Sequence, residues 1–227
     1  MSEPSPLAGF TGKVRLFPLP NLVFFPHVMQ PLHLFEPRYR QMTADALAGD
    51  RLIAMALPKP GWEEEYSNAP PLHSVACLGH ISAEQCLDDG RFNILLHGIA
   101  RVRIVKEVKS KKLYRVARTE ILHEVPLADE YLSCRWRRTL IEKSPRWLSN
   151  QDEFVDQFQK LLHSDLALGI LCDIITFALP LDAEFKQQLL EELDVETRLQ
   201  VLHDFLECSK ELAAHADRKF PPEFSAN

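Results

Sequence analysis

No apolar stretch of this sequence is long enough to span a membrane. The longest, Leu166 to Leu181, has 16 residues, contains Asp173 and nearly ends at Pro180, whereas a span needs about 20. The opening MSEPSPLAGF has neither a basic flank nor an apolar core, so no export signal is visible and a cytoplasmic protein is expected. Cysteine gives no disulfide framework: Cys77, Cys86, Cys134, Cys172 and Cys208 contain no C-x-x-C and are odd in number, which fits reduced, half-buried thiols. No G-x-x-x-x-G-K-[ST] is present, which excludes ATP hydrolysis by a P-loop. His73, His80, His97, His123, His163, His203 and His215 form no H-E-x-x-H and no tight cluster with Cys or Asp. Neither a metal nor another cofactor is therefore expected, and no catalytic residue stands out. A dyad of Cys77 or Cys86 with His80 would need an electropositive site that the sequence does not display. Glu63-Glu64-Glu65 reads as a solvated loop, because consecutive carboxylates rarely all face one cation.

With 227 residues, 46% of them hydrophobic and 26% charged, the chain can bury a core of one large or two small domains. Charge divides it. Residues 1–125 carry 15 Lys and Arg against 13 Asp and Glu, whereas residues 126–227 carry 11 against 19. Periodicity changes at the same place. Val14 to Met42 packs five prolines (18, 20, 26, 31 and 37) into an apolar run, so it must be several short extended pieces: Val14 to Phe25 first, Leu32 to Phe35 last, and Pro26-His27 turning between them. Pro37 then suits a first helical turn, Tyr39, Met42 and Ala46 repeat at helical spacing, and Gly49 can close the helix. Leu52 to Leu57, Val75 to Leu87, Phe92 to Ile104 and Leu113 to Val125 read as strands, with Asp88-Asp89-Gly90 and Ser110-Lys111-Lys112 as turns.

Beyond Pro126 the spacing is helical. Phe154, Val155, Phe158, Leu161 and Leu162 share one face, with Asn150 or Asp152 as cap. Asp165 can cap a helix from Leu166 to Phe177, apolar nearly all round and hence central to a bundle; Pro180 stops it. Asp182 caps a short helix through Leu193, and Asp194 begins a last one carrying Val195, Leu199, Leu202 and Leu206. The expected division is a flexible 1–12, a β-rich unit over 13–125, a helical unit over 127–215, and a flexible tail over 216–227.

Three separated segments resemble the N-terminal, substrate-binding domain of Lon proteases. They are Leu19 to Tyr39, with Phe25-Pro26 and then P-L-x-L-F-E-P-R-Y from Pro31; Phe92 to Arg103, F-N-I-L-L-H-G-I-A-R-V-R; and Gln187 to Leu199, with L-L-E-x-L-D-V-x-x-R-L. Phe35 to Tyr39 is similar to the version in stand-alone bacterial Lon-domain proteins. The resemblance implies an α+β fold, a β-rich, PUA-like Lon barrel followed by a C-terminal helical bundle. It also implies a non-enzymatic protein- or peptide-binding module without the ATPase and peptidase domains of Lon, an adaptor in protein quality control. Its partners would be unfolded or extended protein segments and another protein of the proteolysis machinery, with no membrane.

Three features are candidates for binding, each with a structural reading beside it. Phe35 to Arg40 puts Arg38 and Arg40 in a first helical turn, against the helix dipole. Either Glu36 offsets them by pairing with Arg40 and Tyr39 faces the sheet, or Arg38 holds a carboxylate or carbonyl of a bound segment. The connection from Pro58 to Leu72 carries Trp62 and Tyr66 and either pins itself to the sheet or offers them, beside Phe25 and the Arg38-Tyr39 corner, to a peptide. Arg101, Arg103, Lys106, Lys109, Lys111, Lys112 and Arg115, with Arg118, make a basic hairpin. It either protects sheet edges or docks RNA or an acidic partner.

Overall fold

The computed structural model describes residues 6–7, 9–62, 69–143, 159–208 and 225–226. They form two compact units, one reaching Leu122 and taking in Ser225–Ala226, the other beginning at His123.

The first unit contains β1 (Lys13–Pro18), β2 (Met29–Leu34), α1 (Pro37–Leu47), β3 (Leu52–Ala56), β4 (Val75–Cys86), β5 (Phe92–Glu107), β6 (Arg115–Leu122) and β7 (Ser225–Ala226). The sheet order is β4-β3-β1-β6-β5-β2-β7, and β4 also pairs with β5, so the pairings β4-β3-β1-β6-β5-β4 close on themselves. Inside that ring lie Val14, Leu16, Leu52, Ala54, Ala56, Ala76, Leu78, Val102 and Ala117. Alanine at four of these positions suits a ring of few strands, whose interior is only wide enough for side chains.

Proline ends β1 early. Leu19 to Phe25, expected as strand, is irregular although Leu19, Val23, Phe24 and Phe25 are buried, because Pro20 and Pro26 lack the N–H that a ladder requires. Asn21 and His27 adopt left-handed φ of 62° and 63° and turn the chain instead. This segment is stitched to β5 at Gly98: His27 N–H donates to Gly98 O at 2.8 Å and Gly98 N–H to Val28 O at 2.9 Å. A Cβ on Gly98 would collide with the Phe25 carbonyl oxygen, so only glycine allows the two backbones to approach. At the end of α1 the left-handed residue is Arg51 (φ 60°), not Gly49, and its N–H bonds Ala46 O at 2.9 Å. Arg51 Nε donates to Ile81 O at 2.9 Å, which compensates a conformation that glycine would adopt more readily. Ser225–Ala226, in a stretch expected as a flexible tail, pair in parallel with Leu32 and His33.

The second unit contains α2 (Glu130–Lys143), helical residues 159–162, α3 (Leu168–Ala178), α4 (Ala183–Glu191) and α5 (Val195–Cys208). The caps expected at Asp182 and Asp194 accept from Phe185 N–H and Thr197 N–H, each at 2.8 Å. Asp165 does not cap α3, which starts three residues later with Ala167 at the cap position. Asn150, Asp152 and Phe154 to Phe158 lie outside the described residues. As its all-round apolarity predicts, α3 is the helix that meets α2, α4 and α5.

A buried cation organises this unit. Arg198 on α5, with no exposed side-chain surface, reaches Glu124 Oε1 at 2.8 Å, Asp173 Oδ1 at 3.5 Å and Glu192 O at 3.0 Å. Gly169 faces the same group; a Cβ there would lie 2.8 Å from Glu124 Oε2 and 3.2 Å from Arg198 Nη2. Burial pushes the neighbouring Cys172 thiol up to about 11, which makes it a packing residue rather than a nucleophile. Arg198→Ala would remove the cation beside the buried Asp173 carboxylate and is expected to lower unfolding free energy by about 3–5 kcal/mol in urea denaturation, whereas Glu124→Gln, at the half-exposed end, should cost about 1 kcal/mol.

Candidate partner-binding face

Side chains along β2 alternate. Gln30, Leu32 and Leu34 enter the core, while Met29, Pro31 and His33 face outward, followed by exposed Phe35. Register carries this outer row across the sheet: Met29 lies opposite His97, Pro31 opposite Leu95 and His33 opposite Asn93 on β5. His97, Leu95 and Asn93 in turn lie opposite His80, Ala83 and Gln85 on β4, past a bulge at Ile81/Ala83. The result is a face of half-exposed apolar and neutral polar groups, bordered by the outer edge of β2. Among the described residues that edge is paired only at Leu32 and His33, by β7.

Polar groups on the face hold one another in place. Asn93 Oδ1 accepts from His33 Nδ1 at 2.7 Å, so Nε2 is the nitrogen left to accept from Arg91 Nη1 at 3.3 Å. Asn93 Nδ2 donates to Gln85 Oε1 at 3.3 Å, and the rings of His33 and Phe35 lie 6.2 Å apart.

The residues singled out in the sequence scatter around this face. Phe25 and Tyr39 are buried and offer no contact surface, a correction to their expected role. Tyr39 packs edge-on against Phe17 with ring centroids 4.5 Å apart and donates to Pro18 O at 3.4 Å, because helical spacing after Pro37 turns it inward. Glu36 pairs with Arg38 at 2.8 Å rather than with Arg40, and the Arg38 guanidinium lies 4.5 Å from the Tyr39 ring centroid. Arg40 instead reaches the β4–β5 turn at Gly90. Trp62 is half-buried, and Tyr66 lies outside the described residues. Met29 and His33 lie outside the candidate features read from the sequence, and Phe35 entered only as the first residue of Phe35 to Arg40; their alternation is visible in the sequence, but their exposure follows only from which side of β2 the core occupies.

The basic hairpin is not one patch. Arg101 is buried, Arg115 pairs with Glu107 and donates to Pro70 O at 2.7 Å, and Lys112 pairs with Asp45 at 2.8 Å. Tyr114 Oη also donates to Asp45 at 2.7 Å; Lys112 and Tyr114 together hold that carboxyl below its usual range. Arg103, Lys106, Lys109, Lys111 and Arg118 are exposed.

Comparison with known proteins places this geometry in a family. The model of the ATP-dependent protease La (LON) substrate-binding domain matches residues 13–207. The chain belongs to that family. Among full-length relatives, Lon protease 2 of Herpetosiphon aurantiacus is 31% identical over 198 residues, covering 86% of this chain and 24% of that protein. Lon protease of Heliobacterium modesticaldum is 24% identical over 214 residues, covering 91% of this chain and 25% of that protein. The chain thus spans about a quarter of the relatives it matches, and the part matched is the Lon substrate-binding domain rather than the peptidase domain. Two solved structures share the fold. The N-terminal domain of a Mycobacterium avium complex Lon protease has a TM-score of 0.66 at 18% identity, covering 86% of this chain and 98% of that one. A Lon N-terminal domain protein from Xanthomonas campestris has a TM-score of 0.62 at 20% identity, covering 85% and 98%.

Within this Lon-family chain, most residues that carried the resemblance are structural. Pro37 and Tyr39 start and bury α1, Gly98 admits the Phe25 backbone, Asp194 caps α5, and Arg198 is the buried cation. Of F-E-P-R-Y only Tyr39 is buried; Phe35 and Pro37 are exposed, and Glu36 and Arg38 are half-buried.

Two imidazoles of the face sit below their ordinary value of 6.5. Burial is the main cause for both; Arg51 and His97 act further on His80, and His27 on His97. Protonation is therefore disfavoured in the folded chain: the stability involved is complete above 6.5 and is lost as pH falls through the depressed folded values. The thermal midpoint should fall between about pH 7.5 and 5, and by less in a His80→Asn/His97→Asn variant. An equal fall in both would remove these histidines from the account.

Proposed function

We propose that this chain is a protein-segment recognition module that works without catalysing a reaction, and that β2 is where it holds its partner. One observation carries the site: the outer edge of β2 already pairs in parallel with an extended stretch, Ser225–Ala226, while Met29 and Phe35 stand exposed on either side. Unpaired main-chain groups on a sheet edge bind extended segments of many sequences, and flanking apolar side chains add affinity by losing water. Membership of the Lon substrate-binding family supports a protein as partner. Unfolded or extended segments fit the edge best, and an adaptor role beside a protease in the cytoplasm follows from the same reading. No helix among the described residues is long and apolar enough to cross a membrane.

The test is binding of a permanently unfolded model protein by anisotropy or calorimetry. Met29→Glu/Phe35→Glu should weaken it by about tenfold or more while lowering the thermal midpoint only slightly, since both residues lie at the surface outside the core. Ser225→Pro, which removes one backbone donor from β7, should strengthen it by vacating the edge. Unchanged affinity in the double variant would remove β2 as the site. Tight binding that survives there and disappears in a Trp62→Ala variant would move it to the 58–72 connection.

A further inference from the structure

Sheet register assembles a cationic row from three distant parts of the sequence. Lys13 on β1 lies directly opposite Arg118 on β6, and Arg118 lies directly opposite Lys106 on β5. All three are exposed, on the face opposite the Val14–Ala117 core pair. Neighbouring strands are about 4.8 Å apart, so the row covers about 10 Å. Like charges in directly opposed positions destabilise a sheet, and neighbouring cations avoid this with partners: Arg103 lies opposite Glu120, Arg115 pairs with Glu107, Lys112 with Asp45 and Arg15 with Asp50. Among the described residues Lys13, Arg118 and Lys106 have no acidic group opposite them. The unpaired bulge residue Val105 is exposed beside Lys106.

We infer that this row is a docking site for an acidic, extended protein segment. Arg118 at its centre offers a planar fork that can hold one carboxylate by two hydrogen bonds, and the flanking lysines act as point charges for a second. Side chains two apart on an extended chain project to the same side at a spacing of about 6.6 Å, so carboxylates at i and i+2 can both meet the row. Charge complementarity selects the partner's sign; its class follows from what the face lacks. Single-stranded nucleic acid is held by cations interleaved with stacking aromatics, and the exposed large apolar side chains of this unit's hairpin are Val105 and Leu113, neither of them aromatic. The row lies well along β5 from the strand half that pairs with β2, so it goes beyond the proposed edge site and either can fail alone.

Titration of the full chain by fluorescence anisotropy, with a labelled decapeptide carrying glutamate at alternate positions, tests the inference. Its glutamine counterpart and a single-stranded oligonucleotide serve as comparisons. The glutamate peptide should bind, its affinity should drop as salt rises, and Lys13→Gln/Lys106→Gln/Arg118→Gln should weaken it by about tenfold or more. A charge-retaining Lys13→Arg/Lys106→Arg/Arg118→Lys variant should bind, and Lys109→Gln/Lys111→Gln, which removes turn charge, should leave binding within about twofold. The neutral row variant should have a thermal midpoint no lower than the parent, because repulsion is relieved. Equal weakening by the turn variant would reduce the effect to net charge and overturn the site. Unchanged binding in the row variant would overturn it too, as would an oligonucleotide that binds more tightly than the glutamate peptide and is lost with the row.

Discussion

The first unit depends on one strand, β5, being paired with β4 from Phe92 to Arg103 while its other edge is shared between two partners. Phe92 to His97 serve β2 and Arg101 to Glu107 serve β6. At 16 residues it is far longer than the usual strand of about 5–6. Gly98 divides the two halves, and there the chain entering β2 crosses close enough for reciprocal backbone bonds. The first half carries the open β2 face; the second closes the ring around the alanine-lined core and brings Lys106 beside Arg118. A single backbone constraint thus sets the ring and both proposed surfaces.

The helical unit rests on a different device. Its central helix is apolar nearly all round, yet it buries Asp173 and receives Arg198 from α5. A buried charge pair is weak support for stability by itself, but removing one member is severe, so the pair fixes which faces of α3 and α5 meet. Gly169 gives the room, and Glu124, just ahead of the bundle, supplies the second carboxylate. Within the Gln187 to Leu199 segment that carries the resemblance, Asp194 to Leu199 therefore supply a cap, two packing residues and this cation.

The two proposed surfaces divide the chemistry of an extended polypeptide. An edge of main-chain donors and acceptors flanked by Met29 and Phe35 is indifferent to sequence apart from apolarity, while a row of three cations responds to carboxylates. Together they would let affinity respond to both apolar and acidic content of a segment, a means of selecting among unfolded chains that neither surface has alone.

Periodicity and turn chemistry alone determined the α+β class, strands β3 to β6, helices α1, α3, α4 and α5, the Asp88-Asp89-Gly90 turn, the helix start at Pro37 and the caps at Asp182 and Asp194, because each depends on neighbours within a few residues; the helix Glu130–Lys143 was not read from spacing. The family was legible for the same reason: its motifs are local runs. Local signals failed where a distant group intervened. Arg51 rather than Gly49 takes the left-handed position because Ile81 O, on another strand, compensates it; Asp165 is passed over as a cap; Glu36 finds Arg38 and leaves Arg40 to the turn at Gly90. Phe25 and Tyr39 looked like partner contacts in a sequence that shows only their apolarity, and tertiary packing buried them. The basic run from Arg101 to Arg118 looked like one patch, but pleat and pairing buried Arg101, gave Arg115 and Lys112 carboxylates, and joined Lys106 and Arg118 to Lys13. Only the register of the closed sheet could do that, since side chains alternate along a strand and their neighbours across it come from remote sequence.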